Sequence, residues 1–250
     1  MIWFRSILFG IFLFLFTFIC SAACLFSAPF YSINKRYNIA LFWSKFVLIV
    51  LRKLCRIDYS VLGIGYVLSA LNEPIVVLSK HQSAWETIAF PSIFPRQLSF
   101  VCKRELLWIP FFGWALASMR MVYINRSDRA RSSIAVAEQG RNQILMGRWM
   151  VIFPEGTRTN SGSRQPYRKG GVRLAIGAGA NIIPVAHNAG QAWARNSILK
   201  RPFHITVSIG PVISSEGKTE DQIQNELEGW IEAEMRIIDA AAYDSCITPD

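Results

Sequence analysis

Across 250 residues, 52% of them hydrophobic, 27 basic side chains outnumber 17 acidic ones for a net charge of +10. The imbalance is local: residues 216–250 hold ten acids and only Lys218 and Arg236, so residues 1–215 carry 25 basic against 7 acidic side chains, a body at +18. Such charge fits anionic lipid, CoA phosphates or an acidic carrier protein; nucleic acid is excluded for want of a zinc spacing, a recognition helix or a basic-aromatic repeat.

Between Arg5 and Lys35 no residue is charged, and residues 7–26 are almost wholly apolar. About 20 apolar residues make a helix long enough to cross a hydrocarbon layer roughly 30 Å thick. A retained membrane anchor is the expectation. The alternative is a cleaved signal peptide, whose apolar core usually runs about 7–15 residues, with Ser21-Ala22-Ala23 as a weak cleavage site. Residues 37–51 form a second apolar stretch with Lys45 near its middle, expected to lie in the interface with Lys45 snorkelling to the headgroups. Lys35, Arg36, Arg52, Lys53 and Arg56 follow the first segment and only Arg5 precedes it, which puts everything after residue 34 on the cytoplasmic side. Residues 1–55 are therefore expected as membrane-anchoring helices and 56–250 as the catalytic domain. Whether the first helix spans or dips stays open.

Short, β-branched apolar runs over 75–78, 98–102, 121–124, 150–153, 181–185 and 205–209 predict strands. Residues 108–119 and 127–146 predict helices, the second with Ser127 as N-cap and Gly147 as its stop. Near the end, Ile223, Leu227, Trp230, Ile231 and Ile238 make one apolar helical stripe with acids on the other face. The alternation predicts an α/β fold, a mostly parallel sheet flanked by helices, without internal repeat or second catalytic domain. Cys20, Cys24, Cys55, Cys102 and Cys246 show no paired spacing, so reduced thiols are expected.

The strand over 75–78 delivers Ser79 to His81 to the carboxyl edge of the sheet, where ligands of open α/β sheets gather. Glu86 lies five residues on. Along one continuous helix five residues turn about 500°, leaving the two side chains ~140° apart, so they meet only if the chain bends between them. Ser83 capping a helix with Glu86 at its third position allows that bend. It equally allows Glu86 merely to satisfy the Ser83 backbone, with His81 a structural histidine. If the pair meets, a carboxylate on Nδ1–H fixes the tautomer and leaves Nε2 as a base for a substrate hydroxyl. His187 and His204 are rivals with no acid close in sequence.

Phe153-Pro154-Glu155-Gly156-Thr157-Arg158 follows a strand directly. Gly156 frees the backbone to turn, and Arg158 offers a planar fork for a phosphate. Arg164, Arg168 and Lys169 crowd around Gly162, Gly170 and Gly171, and a helix starting at Gly170 or Gly171 adds N–H donors. The alternative is a solvated basic loop with a structural Glu155–Arg158 pair. The G-x-x-x-x-G-K-[ST] phosphate loop is absent.

Four blocks in this order carry a resemblance. His81-x4-Glu86 is similar to an H-x4-D motif, with glutamate for aspartate. Residues 121–126, ending in Arg126, resemble a second block; residues 153–158 are identical to a third, F-P-E-G-T-R; residues 182–185, with Pro184, are similar to a fourth. Together they resemble the 1-acyl-sn-glycerol-3-phosphate acyltransferases, within the glycerolipid acyltransferases. The resemblance implies transfer of a fatty acyl group from acyl-CoA or acyl-carrier protein to the sn-2 hydroxyl of lysophosphatidic acid at a membrane, giving phosphatidic acid. It implies His81 as general base, Glu86 as its orienter, Arg126, Glu155, Gly156, Thr157 and Arg158 as the acceptor phosphate site, and Pro184 as a shaper of the pocket. No metal and no bound cofactor is called for. Glu86 departs from the pattern by one methylene, which the backbone must absorb. The lipid A secondary acyltransferases also pair histidine with glutamate at this spacing but lack F-P-E-G-T-R. Other readings are an acyltransferase for lyso-ornithine lipid, another lysophospholipid or glycerol 3-phosphate, and a non-catalytic basic membrane scaffold.

Overall fold

A computed structural model describes residues 1–125 and 129–244. Two long helices open the chain, α1 (Ile2–Phe26) and α2 (Ile33–Val50), the second capped by Ser32 and prolonged by a π-turn at Leu51–Cys55. Arg56, with φ 56°, releases the chain into β1 (Ile57–Leu62). Then come α3 (Ile64–Ser69), β2 (Ile75–Ser79), α4 (Trp85–Ile93), β3 (Leu98–Lys103), α5 (Phe112–Ser118) and β4 (Val122–Ile124). The last half holds α6 (Arg129–Leu145), β5 (Trp149–Ile152), α7 (Gly170–Ala178), β6 (Asn181–His187), α8 (Ala189–Ala192), β7 (Phe203–Ile209), α9 (Glu220–Ile238) and α10 (Ala240–Asp244).

The strands form one sheet in the order β1-β7-β6-β2-β5-β3-β4, parallel throughout except between β6 and β7. Leu78 pairs with both Ile152 and Pro184, so β2 and β5 finish near one level while β6 runs on to His187. Helices cover both faces, as the alternating pattern predicts. Val76, Leu78, Met150, Ile152 and Ile182 pack beneath α7 and α9. Ile75, Val77, Val151, Ile183 and Val185 pack on the other face with Trp85, Ile88 and Phe90 of α4.

Phe9, Val47, Leu48 and Leu51 belong to that second core, so α1 and α2 are built into the body. Ser6 accepts the Lys200 N–H at 2.9 Å, Phe9 stands edge-on to Trp193 at 6.0 Å, and Thr17 accepts from Trp43 Nε1 at 3.0 Å. The rest of α1 turns Phe4, Ile11, Phe14 and Ile19 outward. Among the described residues it is the one helix long and apolar enough to cross a membrane, and only 22% of its most apolar stretch is buried.

Two segments depart from the sequence reading. β1 was not expected, because Asp58, Tyr59 and Ser60 interrupt the apolar run; it is a half-exposed edge strand beside β7. The helix expected over 108–119 breaks in two, a 3-10 turn at Arg104–Trp108 and α5. Pro110 lies between them, has no N–H to donate and disfavours helical backbone before it; Phe111 follows at φ 61°. The expected cap Ser127 lies outside the described residues.

Candidate active site

β2 runs into the site without a break. Lys80 N–H still bonds Val185 O at 3.0 Å, and the chain then leaves the sheet at His81 and bends before α4 begins at Trp85. The bend brings His81 Nδ1 to 2.7 Å from Glu86 Oε1. The same oxygen accepts the Ser83 N–H at 3.0 Å, while Ser83 Oγ accepts the Trp85 N–H at 3.1 Å. The helix-start role and the histidine-orienting role are thus one arrangement, and the extra methylene of glutamate is what spans the first turn. Glu86 is fully buried and its Oε2 has no hydrogen-bond partner. Burial alone would raise its pKa; the His187 and His81 imidazoles and its backbone hydrogen bond outweigh that and hold the carboxyl below its usual range.

Phe153 stacks flat on the His81 ring, centroids 3.9 Å apart and planes 12° from parallel. Nδ1 is committed to Glu86, so Nε2 is the nitrogen left for the cavity that the ring lines. The rival histidines are accounted for elsewhere. His187 is fully buried, its Nε2 donates to Lys80 O at 2.8 Å, and burial holds its pKa below the ordinary value. His204 bonds Ser60 Oγ at the exposed β1–β7 edge.

The loop after β5 clamps the backbone of His81. Glu155 Oε2 accepts the His81 N–H at 2.8 Å, and Thr159 N–H donates to His81 O at 2.7 Å. Gly156 makes the turn at φ 72°, its N–H on Phe153 O; a Cβ there would stand 2.8 Å from the Arg168 guanidinium carbon.

The cavity beyond His81 measures about 680 Å³ and runs between α1, α2 and the body. Thr157, Arg158, Lys103 and Arg195 line its polar part; Cys20, Cys24, Ala40, Trp43, Leu116, Met119 and Met121 line its apolar part. Arg158 Nε is buried there without a hydrogen-bond partner.

The structure brings His81, Glu86, Thr157 and Arg158 together and leaves other expected residues apart. Glu155 does not line the cavity: it is turned inward, 2.7 Å from Lys80 Nζ, because that buried ammonium is its nearest charge. Pro184 points to the opposite face, beside Gly210 and packed under α9, because alternation along β6 puts it there with Ile182. Arg164 pairs with Glu228, and Lys169 with Glu220 and Asp221, so these two cations serve α9 rather than the cavity. Arg126 lies outside the described residues. Lys103 and Arg195 were not anticipated; Lys103 had a readable signal, a cation at the carboxyl end of a predicted strand.

Residues 61–188 match the family model described as Acyltransferase. A 1-acyl-sn-glycerol-3-phosphate acyltransferase of Pseudomonas aeruginosa is 38% identical over 235 residues, covering 92% of this chain and 90% of that one. The alpha form of Mus musculus is 29% identical over 153 residues, covering 60% of this chain and 54% of the relative. The crystal structure of the 1-acyl-sn-glycerophosphate (LPA) acyltransferase PlsC from Thermotoga maritima superposes with a TM-score of 0.79 at 18% identity, covering 95% of each chain, and shares the fold. By its matched motifs and its kinship over nearly the whole length, the chain belongs to the 1-acyl-sn-glycerol-3-phosphate acyltransferases of the acyltransferase family.

Proposed function

We propose that the protein transfers a fatty acyl group from a thioester, acyl-CoA or acyl-carrier protein, to the sn-2 hydroxyl of lysophosphatidic acid, giving phosphatidic acid. The observation that carries this is the His81–Glu86 pair, 2.7 Å apart at a cavity with cations on one part of its wall and apolar side chains on the rest. His81 Nε2 takes the hydroxyl proton as the oxygen attacks the thioester carbonyl. The C–O bond forms, the C–S bond breaks, and the leaving thiolate takes the proton from the imidazolium. Glu86 keeps the proton of the resting ring on Nδ1 and stabilises the imidazolium that forms. Arg158, with Thr157 beside it, holds the acceptor phosphate, supported by Lys103 and Arg195; the apolar part takes an acyl chain.

In this reading the enzyme works on the cytoplasmic face of a membrane. Support comes from the outward face of α1 and from the aromatic contacts that tie it to its neighbours on two sides. Phe42 and Phe46 of α2 meet Phe16 at 5.9 and 5.0 Å, and Phe18 meets Phe111 at 4.5 Å. Trp108, 84% exposed, and the half-exposed Trp114 add apolar surface outside α1. The test is thiol release from acyl-CoA by detergent-purified protein with lysophosphatidic acid, glycerol 3-phosphate, lysophosphatidylcholine or no acceptor. Release dependent on lysophosphatidic acid supports the assignment, and equal release with other acceptors moves the activity to a sister lysolipid. His81→Ala is expected to lose roughly 10²–10⁴ of the rate, the usual cost of removing a general base.

A further inference from the structure

Lys80 precedes the histidine, is fully buried, and does not line the cavity. Its Nζ lies 2.7 Å from Glu155 Oε1 and 3.0 Å from Glu232 Oε1, and donates to Ser163 O at 3.3 Å. Glu232 comes from α9, where it breaks the rule that the acids face outward: it is 3% exposed and accepts from Tyr167 Oη at 2.8 Å and Tyr243 Oη at 3.2 Å. Burial works against the ammonium, but Glu155, Tyr243 and Glu232 outweigh it and push its pKa up to about 12.

Buried ion pairs are costly. Several kcal/mol of desolvation per ion are only just offset by the pairing, and well-packed apolar groups often do as well. Stability alone therefore gives a weak reason for a lysine between two carboxylates here. The geometry supplies another. Glu155 gives one oxygen to Lys80 and the other to the His81 N–H, while Thr159 holds the His81 carbonyl and also reaches Glu155 at 3.3 Å. The ammonium thus sets the rotation of a carboxylate that sets the backbone of His81.

We propose that Lys80, Glu155 and Glu232 form a positioning cluster that fixes the backbone of His81, and so aims its imidazole, with none of the three touching substrate. It rests on the reading of His81 as the base. It also gives the glutamate of F-P-E-G-T-R a task different from binding the acceptor phosphate.

The test is acceptor-titrated kinetics on Lys80→Met, Glu155→Gln, Glu232→Gln and the double variant K80M/E155Q, each with its melting temperature, beside His81→Ala. Misplacement of a reacting group by about 1 Å can cost roughly 10²-fold, so each single variant is expected to lose about 10- to 100-fold in kcat. The acceptor KM is expected to stay within about twofold, because no binding contact is removed. The double variant carries neither charge of the inner pair; its melting temperature is expected to recover relative to Lys80→Met while kcat stays low. Recovery of kcat in step with melting would make the cluster purely structural, and a raised KM at unchanged kcat in Glu155→Gln would return that residue to the phosphate site. Full kcat in Glu155→Gln beside an inactive His81→Ala overturns the cluster alone. An active His81→Ala overturns the base assignment on which it stands.

Discussion

Glu86 serves two masters with one oxygen, the His81 ring and the Ser83 N–H, which is why a spacing that fails on a straight helix succeeds here. The sequence showed both possibilities and no way to choose, since the bend at residues 82–84 depends on β2 ending where it does. Arg158 was legible because its loop follows a strand directly. Glu155 was not, because its partner Lys80 lies 75 residues earlier and nothing in the spacing says which way the carboxylate turns. Arg158 bears the clearest expectation: Arg158→Ala should raise the acceptor KM at least tenfold, roughly the 1.5–3 kcal/mol of a charge-assisted hydrogen bond, with a smaller effect on the acyl donor. Kinetics with each substrate varied in turn check this. Lys80 sets a second expectation. Its folded-state pKa, about 12, exceeds the ordinary 10.5, so its contribution is complete below 10.5 and is lost as pH rises through 12. The stability it contributes should disappear over that window. Denaturant unfolding of wild type against K80M/E155Q should show the difference between them shrinking there.

At the scale of elements, periodicity read the sheet well and the connections poorly. Among the described residues, six of the seven strands announced themselves as short apolar runs, whereas β1 hid behind its polar residues. The helix expected over 108–119 took in Trp108 and Ile109 ahead of α5, yet Pro110 forces a corner there. That corner leaves the Trp108 side chain exposed. In vesicles of brominated phospholipid, replacing Trp3 or Trp108 by Phe should each reduce the quenchable tryptophan emission. Loss with Trp3 alone would show that α1 meets lipid while the Trp108 corner faces water. The loop after β5 turns on Gly156, where φ is 72° and a Cβ would have to push the Arg168 guanidinium aside. Gly156→Ala is expected to cost about 1–3 kcal/mol through backbone strain and displacement of Arg168, measured as a lower melting temperature.

For the whole molecule, the charge asymmetry has a structural outlet. Part of the acidic tail segment is spent inside the protein: α9 neutralises Arg164, Lys169 and Arg173 of the preceding loop and helix. The uneven charge was plain from composition, but that it folds back on itself was not, since nothing local ties residue 164 to residue 228. The anchoring of α1 at both ends bears on how the protein is made. Ser6 and Phe9 leave the ribosome nearly two hundred residues ahead of their seats, Lys200 and Trp193. At synthesis rates of about 5–20 residues per second, that interval is roughly 10–40 s. Throughout it, the apolar helix around Ser6 and Phe9 lacks those seats and has only α2, made directly after it, as an early protein partner. On the membrane reading proposed above, the bilayer shelters the outward face of that segment while it waits for the rest of the chain.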